Sequence, residues 1–384
     1  MSEIIFNDQQ EAAIHKVLDW YGKHQRIATQ KEWFFLSGYA GTGKTTLAKY
    51  IASQIGGMDK VSFIAPTGKA AARLRSKGCD SAKTVHQFTF RYLGEDSDED
   101  PIFVAKGSID EKPKLIILDE CVMNGRRAMD AILSHNIAVL GLGDIGQLPP
   151  VKDQAFFHAG NADVLLDQIE RNSGNIVKAS MFVRQGKRLP IREYDDVAVR
   201  GQLPTDDELL ALTDEESVIL CAYNTTREEI NNRCRALLGY EGRMPKIGEK
   251  LVCTMNQHSH RLMNGEQVIL LSLREPASHE SEAFHPDAPE EMMIAKIKNL
   301  SDGKERLCAF NPLSFSEDAT IREQSRRKHG GFDYGYCLTV HKSQGSEWEK
   351  VGVIEENLRS MPYAQIMYTA ITRAITRLEL YRKF

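Results

Sequence analysis

Trp33-Phe34-Phe35-Leu36-Ser37-Gly38-Tyr39-Ala40-Gly41-Thr42-Gly43-Lys44-Thr45-Thr46 is an apolar, β-rich run that ends in a glycine-rich turn and continues, over Thr45 to Gln54, in a helical pattern. Gly38 to Thr45 has the Walker A spacing, and a strand before it and a helix after it are the context in which that spacing forms a phosphate loop. Gly38, Gly41 and Gly43 allow the tight turn that aims backbone N–H groups at phosphates. Lys44 supplies a point charge, Thr45 a hydroxyl for Mg²⁺, and the helix N-terminus its dipole. An ordinary glycine-rich turn is the competing reading. The motif predicts a nucleoside-triphosphate site but does not separate kinases, GTPases, transporters and motors.

Further along, Lys114 to Glu120 reads K-L-I-I-L-D-E, an apolar strand that delivers two adjacent carboxylates. In a parallel sheet such a strand ends at the carboxyl edge, where ligands bind. Asp119 is then expected in the Mg²⁺ shell, and Glu120 is expected to orient or deprotonate an attacking water.

Two blocks of alternating strand and helix patterns predict an α/β protein with two domains, each interrupted once. The first block has strand candidates at Trp33 to Ser37, Val61 to Pro66, Lys114 to Asp119 and Ile137 to Gly143, with helices at Asp8 to Gln25 and Gly68 to Lys77. Short apolar runs between helices point to a parallel sheet covered on both faces. The second block has strands at Val218 to Tyr223, Cys337 to Val340, Val351 to Glu355 and Leu378 to Arg382, and helices at Thr225 to Leu238 and Pro362 to Ala374. The expected division is 1–83 with 114–205 as the first domain and 206–244 with 334–384 as the second. Residues 84–113 read as a small hairpin excursion, and 245–333 as a β-rich insertion in which Lys250 to Met255 and Gln267 to Leu273 flank the turn-forming Asn264-Gly265. No repeat of fixed period is visible.

Composition excludes more than it selects. With 384 residues, 42% of them hydrophobic and 27% charged, the chain can bury two cores, and it has no apolar run of transmembrane length. The acidic start M-S-E-I-I-F-N-D lacks a signal-peptide pattern, so no membrane role and a cytoplasmic location are expected. Seven cysteines without a C-x-x-C pair read as reduced core thiols. His258 and His260 lack partners at zinc-site spacing and read as a solvated loop. A net charge of −4 and a pI near 6.3 argue against coating duplex DNA by charge alone, so any nucleic-acid groove is local. The basic stretch Arg322 to Lys328 and the acidic run Glu95 to Asp100 read as solvated loops.

A family resemblance rests on further motifs. Gly143 to Val151 (G-D-I-G-Q-L-P-P-V) and Leu338 to Glu347 (L-T-V-H-K-S-Q-G-S-E) resemble motifs III and V of superfamily 1 helicases. Asn7 to Gln10 resembles the adenine-reading Gln element, Ala65 to Leu74 (A-P-T-G-K-A-A-A-R-L) motif Ia, and Tyr368 to Ala374 (Y-T-A-I-T-R-A) motif VI. With T-V-H at Thr84 to His86, the wording is similar to the RecD and phage Dda group, which moves 5′ to 3′ on single strands.

The resemblance implies two RecA-like domains with a pin insertion at 84–113 and a small β-barrel insertion at 245–333. It implies an ATP- and Mg²⁺-dependent DNA helicase that acts on single-stranded DNA and single-strand/duplex junctions, with replication, repair or recombination proteins as partners and a monomeric state. At the nucleotide it implies Gln10 on adenine, Gly41, Thr42, Gly43, Lys44, Thr45 and Thr46 on phosphates, and Thr45 with Asp119 on Mg²⁺. Gly345 and Glu347 join the nucleotide set, Gln147 senses the γ-phosphate, and Arg171 and Arg373 form an arginine pair. Along the DNA it implies Pro66, Thr67, Lys69, Thr84 and His86 on one half, Thr339, His341 and Lys342 on the other, and Phe103 as a pin-tip aromatic. Core packing for Phe103, a surface position for Arg171 and a helix C-terminal charge for Arg373 are the alternatives.

One departure stands out: the group usually continues after its Asp-Glu pair with a small residue and then Ser, whereas here Cys121-Val122-Met123 follows, without a hydroxyl to link the ATP and DNA sides. Two other functions are therefore weighed, an RNA-directed translocase and a nucleotide-gated remodelling factor that does not unwind. The short chain reads as a stripped motor without nuclease or targeting domains.

Overall fold

A computed structural model describes residues 5–25, 31–95, 101–107, 109, 112–150, 153–168, 174–257, 260–277, 291–358 and 361–383, with the backbone alone at 92–95, 101–103 and 105. Two compact units divide the chain, Met1–Arg184 and Gln185–Phe384.

The first unit has strands β1 (Trp33–Gly38), β2 (Val61–Ala65), β3 (Lys83–Thr84), β4 (Phe90–Glu95), β5 (Pro101–Ala105), β6 (Leu115–Leu118), β7 (Val139–Gly143) and β8 (Val164–Leu166). Six of them form a parallel sheet in the order β3-β2-β6-β7-β1-β8. Alternating side chains divide between two cores because successive residues of a strand face opposite ways. Phe34, Leu36, Phe63, Leu115 and Ile117 pack with helices α1 (Asp8–His24), α2 (Lys44–Ile55) and α3 (Gly68–Ser76), while Phe35, Ile64, Ile116 and Leu118 pack with Met129, Ile132 and Phe157 on the other face. Helix α1 buries Ala13, Ile14, Val17 and Trp20 at helical spacing, and a reciprocal Asn7–Gln10 capping box starts it. β4 and β5 form the antiparallel hairpin expected within 84–113, with Phe103 opposite Tyr92.

The second unit has β9 (Val197–Arg200), β10 (Ser217–Cys221), β11 (Lys250–Cys253), β12 (Gln267–Arg274), β13 (Met293–Asn299), β14 (Glu305–Phe310), β15 (Phe332–Tyr334), β16 (Cys337–Thr339), β17 (Trp348–Glu355) and β18 (Ala374–Arg382). A second parallel sheet runs β16-β10-β17-β18-β9. The units part earlier than the expected boundary after 205, because β9 pairs with β18, Val197 opposite Leu378.

β11 to β15 form an antiparallel sheet in the order β14-β13-β12-β11-β15, and it curls towards closure: Asn311 N, just after β14, donates to Gly330 O, just before β15, at 2.8 Å. Inside lie Leu251, Val268, Leu270, Ile297, Phe310, Phe315 and Phe332. This is the barrel-like insertion. All seven cysteines are unpaired and buried.

Lys250 starts this barrel as a buried cation. It is 1% exposed, its Nζ donates to Ser217 O at 3.0 Å and to Asp214 O, and burial lowers its pKa from 10.5 to about 8. Below about pH 8 the lysine is charged in both folded and unfolded chains, and its desolvation penalty is felt in full. Between about 8 and 10.5 the unfolded chain binds the extra proton, so this residue's contribution to stability rises with pH. The unfolding free energy of the wild type minus that of Lys250→Met is expected to rise by about 3 kcal/mol across this window. Denaturant melts of both proteins at several pH values check this, because the titrations of buried thiols and tyrosines cancel in the difference.

Candidate functional site

The phosphate loop joins β1 to α2 at the carboxyl edge of the first sheet. Gly41 and Gly43 have φ of +81° and +79°, the left-handed region that glycine enters without steric penalty. At Gly38 a Cβ would lie 2.7 Å from Thr42 Oγ1 and 3.0 Å from Leu166 Cβ, so the close approach itself requires glycine. Lys44 Nζ curls over the loop and donates to Gly38 O at 2.6 Å and Tyr39 O at 2.9 Å. Thr42 is buried and Thr46 exposed, with Thr45 between these extremes. Gln10 Nε2 donates to Thr42 O at 3.2 Å, which ties the Gln element to the loop.

Asp119 and Glu120 leave β6 at the same edge. Asp119 N donates to Ile64 O at 2.9 Å, and Asp119 Oδ1 accepts from Glu120 N at 3.0 Å. Asp119 Oδ2 is buried and has no hydrogen-bond partner among the described residues. Burial, and after it the charge of Glu120, push the Asp119 carboxyl above its ordinary value, against the opposing pull of Arg73 and Lys44. Glu120 has φ +49°, unusual for a side chain with a Cβ. Its Oε1 accepts from Arg73 Nη2 at 3.1 Å. Beyond β7, Gln147 is 6% exposed, and its Oε1 is likewise buried without a hydrogen-bond partner among the described residues.

A buried carboxylate oxygen and a threonine hydroxyl at the same edge of the sheet are hard oxygen ligands of the kind Mg²⁺ takes, and the glycine cradle leaves backbone N–H groups for phosphate. The residues fit a magnesium nucleotide. Arg171 lies outside the described residues.

The residues expected along DNA fall into two matching places. Thr84 ends β3, the edge strand of the first sheet, and caps the helix Val85–Thr89. Thr339 ends β16, the edge strand of the second sheet, and begins the helix Val340–Ser343. The two T-V-H tripeptides therefore occupy equivalent positions in separate units, a correspondence the sequence shows only as repeated wording. Thr84 Oγ1 accepts from Gln87 N at 3.1 Å, while Thr339 makes no side-chain cap. Thr67 caps α3 through Ala70 N at 3.2 Å, next to half-buried Pro66 and Lys69. His86 and Lys342 are exposed. His341 is half-buried, and desolvation lowers its pKa, which disfavours its charged form. Phe103 lies in β5, and its side chain is outside the described residues.

In the second unit Gly345, with φ +77°, and exposed Glu347 lie in the loop before β17. Arg373 follows the helix Tyr363–Ile371 and is 2% exposed. Its Nε donates to Thr369 O at 3.0 Å, Nη1 to Ser346 O at 3.1 Å and Nη2 to Thr372 Oγ1 at 3.1 Å. The guanidinium thus caps its own helix and ties it to the Gly345 loop.

Three contributors went unread in the sequence. Gln9 Oε1 accepts from the N–H groups of Asp167 and Gln168, both at 3.0 Å, anchoring the segment before Arg171 to α1. Arg184 lies 3.6 Å over the Tyr39 ring of the phosphate loop. Arg73 sits inside a quoted motif, but only the fold brings it to Glu120.

A family model described as an AAA domain matches residues 6–204, more than half of the chain, and one described as a UvrD-like helicase C-terminal domain matches 334–381. The chain is 29% identical over 377 residues to the ATP-dependent RecD2 DNA helicase of Deinococcus radiodurans, covering 94% of this chain and 47% of that protein. To the ATP-dependent DNA helicase dda of Enterobacteria phage T4 it is 28% identical over 189 residues, 46% of this chain and 43% of that one. It therefore spans less than half the length of either relative. A Pif1 helicase from Bacteroides, in complex with ADP-AlF3 and ssDNA, matches with a TM-score of 0.57 at 18% identity, over 100% of this chain and 93% of that one, a likeness of fold. By the span of the family model, the chain belongs to the AAA domain family.

Proposed function

We propose that the protein is an ATP-dependent helicase that moves 5′ to 3′ on single-stranded DNA and opens duplex ahead of it. The observation that carries this reading is the presence, beside one phosphate loop, of two equivalent segments, Thr84-Val85-His86 and Thr339-Val340-His341, one at the edge strand of each parallel sheet. A motor that steps needs two like grips and one fuel site. Small hydroxyls, backbone amides and a few cations hold phosphates without reading bases, and Lys69 and Lys342 supply the cations.

In this reading the loop N–H groups and Lys44 bind phosphates, Gln10 and Thr46 complete the nucleotide pocket, and Thr45 with Asp119 holds Mg²⁺, which would neutralise phosphate charge. Glu120 takes the proton of the attacking water, and Gln147, whose side chain is buried at the same edge, senses the γ-phosphate. Arg171 and Arg373 neutralise charge on the γ-phosphoryl oxygens, Gly345 and Glu347 belong to the nucleotide set, and Phe103 stacks at the fork. Replication or recombination proteins are its partners, and it acts as a monomer.

Unwinding of duplexes carrying a single 5′ or 3′ tail tests the reading, with ATP turnover measured on DNA and RNA oligonucleotides alongside. Strand separation is expected from the 5′ tail alone, with DNA stimulating turnover more than RNA does. Opening from the 3′ tail overturns the direction. Stimulation by RNA alone favours the RNA translocase, and strong DNA stimulation without strand separation favours the remodelling factor.

A further inference from the structure

Arg73 joins two parts of the first unit that the proposed motor has to couple. It lies on α3, four residues after Lys69, so the two side chains are neighbours on one helix face. The N-terminal end of α3 carries Thr67 and Lys69, the proposed DNA contacts. Ala70, Ala71 and Leu74 bury the helix against the core beside β2, so what displaces one end of this two-and-a-half-turn rod is felt at Arg73.

The other end of the connection is the water-activating group. Arg73 Nη2 is 3.1 Å from Glu120 Oε1 and 3.9 Å from Asp119 Oδ2, and the side chains are 21%, 7% and 4% exposed in that order. A partly exposed guanidinium thus faces two buried carboxylates in low-dielectric surroundings, where a charge-assisted hydrogen bond is strong. Glu120 accepts it from a left-handed backbone conformation, φ +49°, that persists in a residue with a Cβ only where its surroundings hold it. A carboxylate oxygen engaged by guanidinium is a poorer acceptor for the proton of water. Val122, two residues after Glu120, carries no hydroxyl and is buried in the apolar core.

We infer that Arg73 is a positioning residue: it restrains Glu120 in the resting protein and yields it when single-stranded DNA engages the N-terminal end of α3. The inference rests on the motor reading above. DNA stimulation of ATP turnover then arises from exchange of the Arg73–Glu120 pair for a Glu120–water contact, at no change in the nucleotide's own ligands.

The test is Arg73→Gln and Arg73→Lys in the full chain, with ATP turnover measured with and without an unstructured oligodeoxythymidine, together with oligonucleotide affinity and melting temperature. In Arg73→Gln the DNA-free rate is expected to rise about tenfold, the size of a lost charge-assisted hydrogen bond, and the DNA-stimulated rate to stay within about twofold, so the stimulation ratio collapses. Oligonucleotide affinity should be equal to or tighter than wild type, because binding no longer has to break the pair. Arg73→Lys keeps the charge but loses the planar fork, so it should raise the DNA-free rate by a smaller factor, about threefold, and it decides the matter if the glutamine variant fails to fold.

A DNA-free rate in the folded variants that is unchanged or lower overturns the restraint and leaves Arg73 a structural ion pair or a direct aid to catalysis. A wild type whose turnover DNA does not stimulate overturns the motor reading itself, and the two failures are distinguished by the wild-type measurement alone.

Discussion

Lys44→Ala and Glu120→Gln are expected to lose ATP turnover by about 10² to 10⁴-fold each and to differ in what they retain. Lys44 reaches Gly38 O and Tyr39 O across the loop, at the place where phosphate oxygens would replace those carbonyls as acceptors. Removing it deletes an interaction made in both ground and transition states, so nucleotide affinity falls along with the rate. In its proposed role Glu120 meets the water and not the nucleotide, and its glutamine counterpart keeps the same shape, so affinity should stay within about threefold of wild type. Equilibrium binding of a fluorescent ATP analogue beside steady-state turnover separates the two. Equal losses of affinity in both variants would remove Glu120 from its assigned role.

Arg373→Ala is expected to reduce turnover by about 10³ to 10⁵-fold, the range for an arginine that neutralises a transferring phosphoryl group, with ATP affinity nearly unchanged. The same guanidinium donates to Thr369 O, Ser346 O and Thr372 Oγ1, so its loss also removes three buried or part-buried hydrogen bonds and should lower stability by about 2 kcal/mol. The two effects come apart when turnover is measured well below the melting transition. If the rate falls only as far as the folded fraction does, Arg373 is the helix-capping cation alone. Arg373→Lys sharpens the contrast, because a lysine keeps a charge but cannot serve three acceptors with a planar fork.

The elements whose pattern is local were legible in the chain. β1, β6 and β7 are apolar runs buried on both faces, α1 shows its own period and cap, and the phosphate loop is a contiguous turn whose glycines answer to their own dihedral angles. β3, β8 and β9, of two, three and four residues, went unread. Each exists by pairing with a partner already in place, and β9 finds that partner in β18 at the far end of the chain. That pairing moved the division between the units to Arg184.

By itself the sequence determined the doubly covered parallel sheet of the first unit, the nucleotide loop and the acidic pair, because these follow from side-chain period and from residues adjacent along the chain. The tertiary structure alone decided that Arg73 meets Glu120, that Arg373 caps its own helix and reaches Ser346, that the chain around Lys250 buries its charge, and that two T-V-H segments end equivalent edge strands. A charged side chain read in sequence has no partner and no dielectric. Both are supplied by segments tens of residues away, and they set whether its charge is a surface feature, a buried liability or a restraint on catalysis.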